Sequence, residues 1–323
     1  MLKTGEKLGA FIVPTGIAAS IGGYAGDASC KAREFSKKSK IIVNPNVVNA
    51  GVFSGINENM LYTEGFIIDE FFKGKLGLEP SFNNKIGVVF DKAIPQDVLN
   101  IHLNTIGAVK TVYGIDAEDY EITKEPVGVE FWVDENGIST GGVKNIATIF
   151  EASEKLLERG AEALAIVCIF EDPEDDNEDY SNGSGVDPVG GVEGIISHAV
   201  SEKFLVPCAH SPAFKDFSIS TNIVNPKAAS EYITPTFLPC VLLGLNNAPK
   251  IVKEGGIRIE NLDYLVMPCN SLGSTPVFEA LKHDIKIFAV KENQTALDVS
   301  NYNFFKSNKI IEVETYNKCL KLV

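Results

Sequence analysis

The residues best suited to chemistry follow short apolar runs. The first group is Cys208-Ala209-His210, within FLVPCAHSPAF (204–214). A thiol and an imidazole this close can be nucleophile and base, half of a metal site, or two small loop residues. In an extended loop the two side chains are expected to diverge, so an ion pair between them needs a sharp turn. His210 is the candidate general base or substrate hydrogen-bonder, because an imidazole titrates near neutrality. Cys208 and Cys240 are the candidate nucleophile or acid, and a buried structural thiol is the alternative for each. Cys240 lies in FLPC (237–240) and Cys269 in YLVMPCNS (264–271), where the same strand-proline pattern recurs.

Other polar groups sit where such runs end. PTGIAASIGGYAGDA (14–28) supplies Thr15, Gly16, Gly22, Gly23 and Asp27. Its glycines allow close backbone approach to a ligand or to another segment. It matches neither GxGxxG nor GxxxxGK[ST], which argues against a nucleotide-triphosphate site. Asn44 and Asn46 in VNPNVVNAG offer donors and acceptors without charge, suited to orienting an amide or carboxylate. Glu64, Asn270 and Ser271 complete the expected substrate contacts, together with Asp187. Asp187 also reads as an N-cap before Pro188. The following helix is expected to bury Val189, Val192, Ile195, Ile196 and Ala199, leaving His198 off that stripe near the carboxyl end. There the helix dipole favours an imidazolium without any catalytic duty. PCNS (268–271) is similar to the Cys-Asn-Thr/Ser turn of aspartate and glutamate racemases, where two cysteines abstract and return a proton.

The elements that must position these groups alternate. FIVPTG, IIVNPN, FLVPCAH, FLPC and YLVMPCNS each join an apolar run to Pro and small polar residues. Such runs suit strands buried on both faces of a parallel sheet, ended by proline. Ligands of open α/β sheets bind beyond the strand carboxyl ends, so these loops are expected to converge on one site. Residues 144–170 predict an amphipathic helix, a stop at Gly160 and a buried strand, and 126–143 predict a hairpin around Asn136-Gly137. The expected fold is α/β, a mainly parallel sheet with helices on both faces and two α/β parts, 1–125 and 126–323. The acidic run 171–182 is expected to be mobile rather than an ion site.

Composition narrows the function. The chain has 323 residues, 43 acidic and 29 basic, for a net charge of −14. That balance repels phosphate backbones and argues against nucleic-acid binding. No apolar stretch nears the roughly 18 residues of a membrane span, and no secretory leader pattern opens the sequence. A cytoplasmic protein is expected, either alone or as a homo-oligomer. Six scattered cysteines without a CxxC pair are expected to be free thiols.

The segments VPTGIAASIGGYAGDA, NPNVVNAG, YTEGF, GVDPVGGVEGIISH, PCAHSPA and TFLPCVLLGLNNAP together resemble a bacterial family, DUF3326, over nearly the whole chain. Members typically read His-Pro-Asn where this chain has Asn44-Pro45-Asn46. They carry an Ala-Cys-Gly-Gly-like turn where it has Ser271-Leu272-Gly273-Ser274. The resemblance implies a shared site around these motifs and names no reaction. The residues themselves favour a small-molecule enzyme, a hydrolase or isomerase without organic cofactor or metal, acting on a polar amide- or carboxylate-bearing metabolite. A metabolite-binding protein whose glycine loop holds an anion is one rival. A divalent-metal hydrolase built on Asp187, Glu193 and His210 is another.

Overall fold

The computed structural model describes residues 6–171 and 178–323. Of the run 171–182 expected to be mobile, residues 172–177 lie outside the described residues. Continuous apolar runs become strands with both faces covered. In Leu8–Phe11, Ala10 faces one core and Phe11 the other, as period-two alternation requires.

Six strands form one parallel sheet in the order Ile310–Val313, Lys286–Val290, Tyr264–Pro268, Leu8–Phe11, Lys40–Val43, Met60–Tyr62. Chain direction across the sheet reverses between Leu8–Phe11 and Tyr264–Pro268. The carboxyl ends of those two strands therefore flank a topological switch point, where α/β sheets leave a crevice. Four further strands form a second parallel sheet, ordered Cys208–Ala213, Ala163–Ile169, Ile86–Phe90, Asp119–Ile122. Helices cover both faces of the larger sheet: Phe35 and Tyr316 pack on one side, Phe71 and Val277 on the other. The α/β class, with mainly parallel sheets, is what the structure has.

The two sheets do not part at residue 125. The larger takes strands from both ends of the chain, and the smaller takes two from before that point and two from after it. The helix Leu238–Asn246 packs against the smaller sheet and against the Pro45–Val48 turn beyond the larger one, and a single apolar cluster runs through both. The hairpin Val129–Val133/Ser139–Val143, the helix Ile146–Glu158 and the strand Ala163–Ile169 form where the sequence places them.

Two strand assignments change. Phe204 ends the Gly190–Phe204 helix, Leu205 turns the chain in the left-handed region, and the strand begins after Pro207 at Cys208. FLPC starts the Leu238–Asn246 helix, with its proline in the first turn, where the missing N–H costs nothing. An apolar run before a proline has the same composition in both settings. No helix of the described residues is long and apolar enough to cross a membrane.

Candidate functional site

A cleft of about 1360 Å³ opens at the switch point. The larger sheet brings Thr15, Asn44, Asn46 and Glu64 to it from beyond its strand ends, and the edge strand of the smaller sheet brings His210. Gly23, Asp187 and Cys240 also line it, as do Glu193, His198 and Glu231. Cys208, Gly16, Gly22, Asp27, Asn270 and Ser271 do not. The expected convergence of Thr15, Asn46, His210, Cys240 and Asn270 therefore holds for all but Asn270. That amide donates to the Thr295 and Leu297 carbonyls and ties down a neighbouring loop, and the Ser271 hydroxyl bonds back to Pro268.

The helix Gly190–Phe204 decides the chemistry. Its buried face carries Val192, Ile196 and Val200, but also Glu193, Ser197 and Ser201. Ile195, expected inside, is 41% exposed. His198 is the ninth of fifteen helical residues rather than a terminal one, and it faces the cleft. The sequence stripe fails because apolar residues were counted alone; the recurrence of Glu193, Ser197 and Ser201 at intervals of four was the available signal.

His210 is the third residue of the strand Cys208–Ala213. Residues i and i+2 of a strand share a face, so Cys208 and His210 point the same way, contrary to the expected divergence. Cys208 lies deeper, among Leu164, Ile166 and Val200. His210 Nδ1 lies 3.0 Å from Ser197 Oγ, and the Ser197 hydroxyl bonds back to the Glu193 and Gly194 carbonyls at 3.4 and 3.3 Å. The serine thus offers its lone pair, which assigns the proton to Nδ1 and leaves Nε2 basic. That Nε2 is 3.7 Å from Glu193 Oε2. Burial pulls His210 down to about 3 and keeps the imidazole neutral. Burial, reinforced by Asp187 and Glu231, raises Glu193 well above the usual carboxyl range. A neutral imidazole faces a carboxyl that holds its proton more tightly than usual.

A second pair lies across the cleft: His198 Nδ1 is 3.8 Å from Glu64 Oε1, and the imidazole meets Phe66 edge to face. Glu64 caps the Gly65–Phe72 helix by accepting from Phe66 N–H at 2.7 Å, and burial lifts it to about 7.

The glycine loop is committed inward. Asp27 accepts the Gly22 and Tyr24 N–H groups, Asn293 takes Ile21, the Gln294 carbonyl takes Ser20, and Glu231 takes Ala25. Asp27 fills the concavity an anion would need, which removes the basis of the anion-binding rival. The loop is tight for packing reasons. A Cβ at Gly23 would stand 2.2 Å from the Ala19 carbonyl oxygen. Asn44 receives Val13 N–H and donates to Val13 C=O, and Asn46 donates to Gly22 C=O at 2.5 Å. These asparagines hold backbone rather than present free amides.

The thiols are poor nucleophiles as they stand. Burial raises Cys240 to about 12 and pushes Cys208 well above the ordinary thiol range, and Cys240 Sγ lies 3.1 Å from the Phe237 carbonyl. Asp187, Glu193 and His210 all line the cleft, yet among the described residues no three His, Cys, Asp or Glu groups are placed to hold a metal ion.

No solved structure matches the chain. An uncharacterized lipoprotein of Synechococcus sp. (strain ATCC 27144 / PCC 6301 / SAUG 1402/1) is 36% identical over 299 residues, covering 89% of this chain and 82% of the relative. Residues 9–323 match the family described as protein of unknown function DUF3326, and the chain belongs to that family.

Proposed function

We propose that this protein is an isomerase-type enzyme that moves protons on a small polar metabolite, with His210 as general base and Glu193 as its acid partner. The observation that carries the reading is the pair itself: a neutral imidazole with its basic Nε2 free, 3.7 Å from a buried carboxyl, in a large cleft at the switch point. Nε2 would take a proton from an acidic C–H of the substrate while Glu193 gives its proton to the adjoining carbonyl oxygen. The reverse transfers restore both groups. No electrons change hands, so the step needs no redox cofactor; with His210 held at about 3 the imidazole is a weak base, and the abstraction depends on Glu193 protonating the carbonyl oxygen in the same step. A thiol nucleophile is not part of the reading, because Cys208 and Cys240 are held protonated.

We place this activity in the cytoplasm. The relative is called a lipoprotein, and that name is said of the relative alone.

The test is solvent exchange. Wild-type protein is incubated with metabolite extracts in D₂O and masses are followed. At least one metabolite should gain deuterium with wild type and with Cys240→Ala, and should not with His210→Ala. Incorporation that persists in folded His210→Ala refutes the proposal.

A further inference from the structure

Besides the exposed Glu202 and Asp216, the cleft is lined by Glu64, Asp69, Asp187, Glu193 and Glu231, and among the described residues by no lysine or arginine. Acidic groups alone would say little, since surface carboxylates are common. These are buried or half-buried, and their partners are unequal. Asp187 accepts from Val189 N–H at 3.0 Å. Glu231 accepts from Ala25 N–H at 3.2 Å and from the Tyr180 hydroxyl at 3.0 Å. Glu193, only 7% exposed, has one carboxyl oxygen turned to His210 and the other, Oε1, without any hydrogen-bond partner. Buried polar atoms are nearly always satisfied, so an orphaned carboxyl oxygen in a cleft marks the place of a donor that arrives with the ligand.

Resting on the proton-transfer reading of the same site, we propose that the substrate carries a primary ammonium group that seats against Glu193 Oε1, with Asp187 and Glu231 as the surrounding carboxyls. Several observations favour a cation over a neutral donor or an anion. Asp187 and Glu231 add negative charge beside Glu193, which an ammonium offsets while it donates to Oε1 and leaves the proton on the oxygen facing His210. The rings of Tyr24 and Tyr180 stack on each other at the same acidic corner, with centroids 4.7 Å apart, and Lys227 Nζ already lies 5.5 Å from the Tyr24 centroid, so the carboxyls rather than the rings would hold the ligand's charge. A carboxylate-bearing ligand would meet like charge and find no cationic side chain. A metal ion would need ligands drawn together, which these residues are not. An ammonium has three donors and reaches separated acceptors at hydrogen-bond length.

The experiment is a titration of the full chain by calorimetry at pH 7 with three compounds of one skeleton: 4-aminobutanol, butane-1,4-diol and 4-hydroxybutyrate. The amine should bind roughly ten- to hundred-fold more tightly than the diol, as a hydrogen bond to a charged partner implies, and the hydroxy acid weakest. Glu193→Gln keeps the side-chain shape and should erase the amine's preference. Thermal melts of that variant report whether it folds, and the wild-type ranking stands as evidence without it. Equal or tighter binding of the diol or hydroxy acid, no amine binding at all, or an amine preference that survives in Glu193→Gln overturns the ammonium assignment. Those outcomes leave the His210 proposal standing, because that is read by deuterium exchange rather than by binding.

Discussion

The imidazole of His210 is held between two residues of one helix, with Nδ1 3.0 Å from Ser197 Oγ and Nε2 3.7 Å from Glu193 Oε2. Because Glu193 and Ser197 are one turn apart, the helix presents an anchor for one ring nitrogen and an acid for the other. The edge strand Cys208–Ala213 needs only to bring the ring to that face. The site is thus a relationship between an edge strand and a helix, and each consequence below follows from it or from the packing around it.

The two imidazoles of the cleft should not be equivalent. His210→Ala removes the proposed base and should lower deuterium incorporation by about 10²–10⁴-fold with little loss of fold. His198 is 46% exposed at its side chain and 3.8 Å from Glu64. Glu64 is buried and keeps the Phe66 N–H when the imidazole is removed, so His198→Ala should cost about 1 kcal/mol, at most about five-fold. Equal losses in paired exchange assays would show that both imidazoles act on substrate.

Stability should pass through a maximum with pH, because the buried groups pull in opposite directions. His210, held at about 3 against an ordinary 6.5, binds its proton more weakly when folded, so stability falls as pH drops from 6.5 toward 3. Glu64, at about 7, and Glu231, at about 8, lie above their ordinary 4.5 and bind protons more tightly when folded. Their contribution is complete below 4.5 and is lost as pH rises toward 8. Melting temperature should therefore peak between these limits and decline on the alkaline side, and Glu231→Gln should flatten that decline. An alkaline limb of unchanged slope in both Glu231→Gln and Glu64→Gln would contradict the assignment.

Thiol reactivity should follow exposure and burial. A short iodoacetamide pulse at pH 7, read by peptide mass spectrometry, should label the exposed Cys30 and leave Cys208 and Cys240 unmodified, since burial keeps both thiols protonated. Cys240→Ser should keep its exchange activity. Rapid labelling of Cys240 that abolishes exchange would return a thiol to the mechanism.

The start of the Gly190–Phe204 helix should tolerate no side chain at one glycine and accept it three residues later. A Cβ on Gly191 would stand 2.1 Å from the Ser139 carbonyl oxygen, whereas one on Gly194 meets nothing within 4 Å. Gly191→Ala should cost about 1–3 kcal/mol as backbone is forced apart, and Gly194→Ala should gain roughly 0.5–1 kcal/mol from helix propensity. Denaturant melts on the pair decide it. Equal effects would mean the helix does not rest on the hairpin as described.

The sequence by itself determined the α/β class, the hairpin around Asn136-Gly137, the helix and strand of 144–170 and most of the loops that meet at the cleft. Periodicity and turn residues are local properties, and local sequence contains them. It also offered His210 as a candidate base, through its place beside an apolar run, and the structure puts that residue in the cleft. Only the tertiary structure decided the rest. Residues flanking a proline can end a strand or begin a helix, and Pro239 does the second because the Leu238–Asn246 helix packs into the core shared by the two sheets. The amides of Asn44 and Asn46 are engaged by backbone once Val13 and Gly22 lie beside them, and Asp27 fills the glycine loop an anion was expected to enter. Above all, Glu193 and Ser197 looked like the solvent side of a helix. They became the inner side when the strand carrying His210 packed against them, because burial, and with it the protonation of every group in the cleft, is set by distant chain segments and not by the residues on either side.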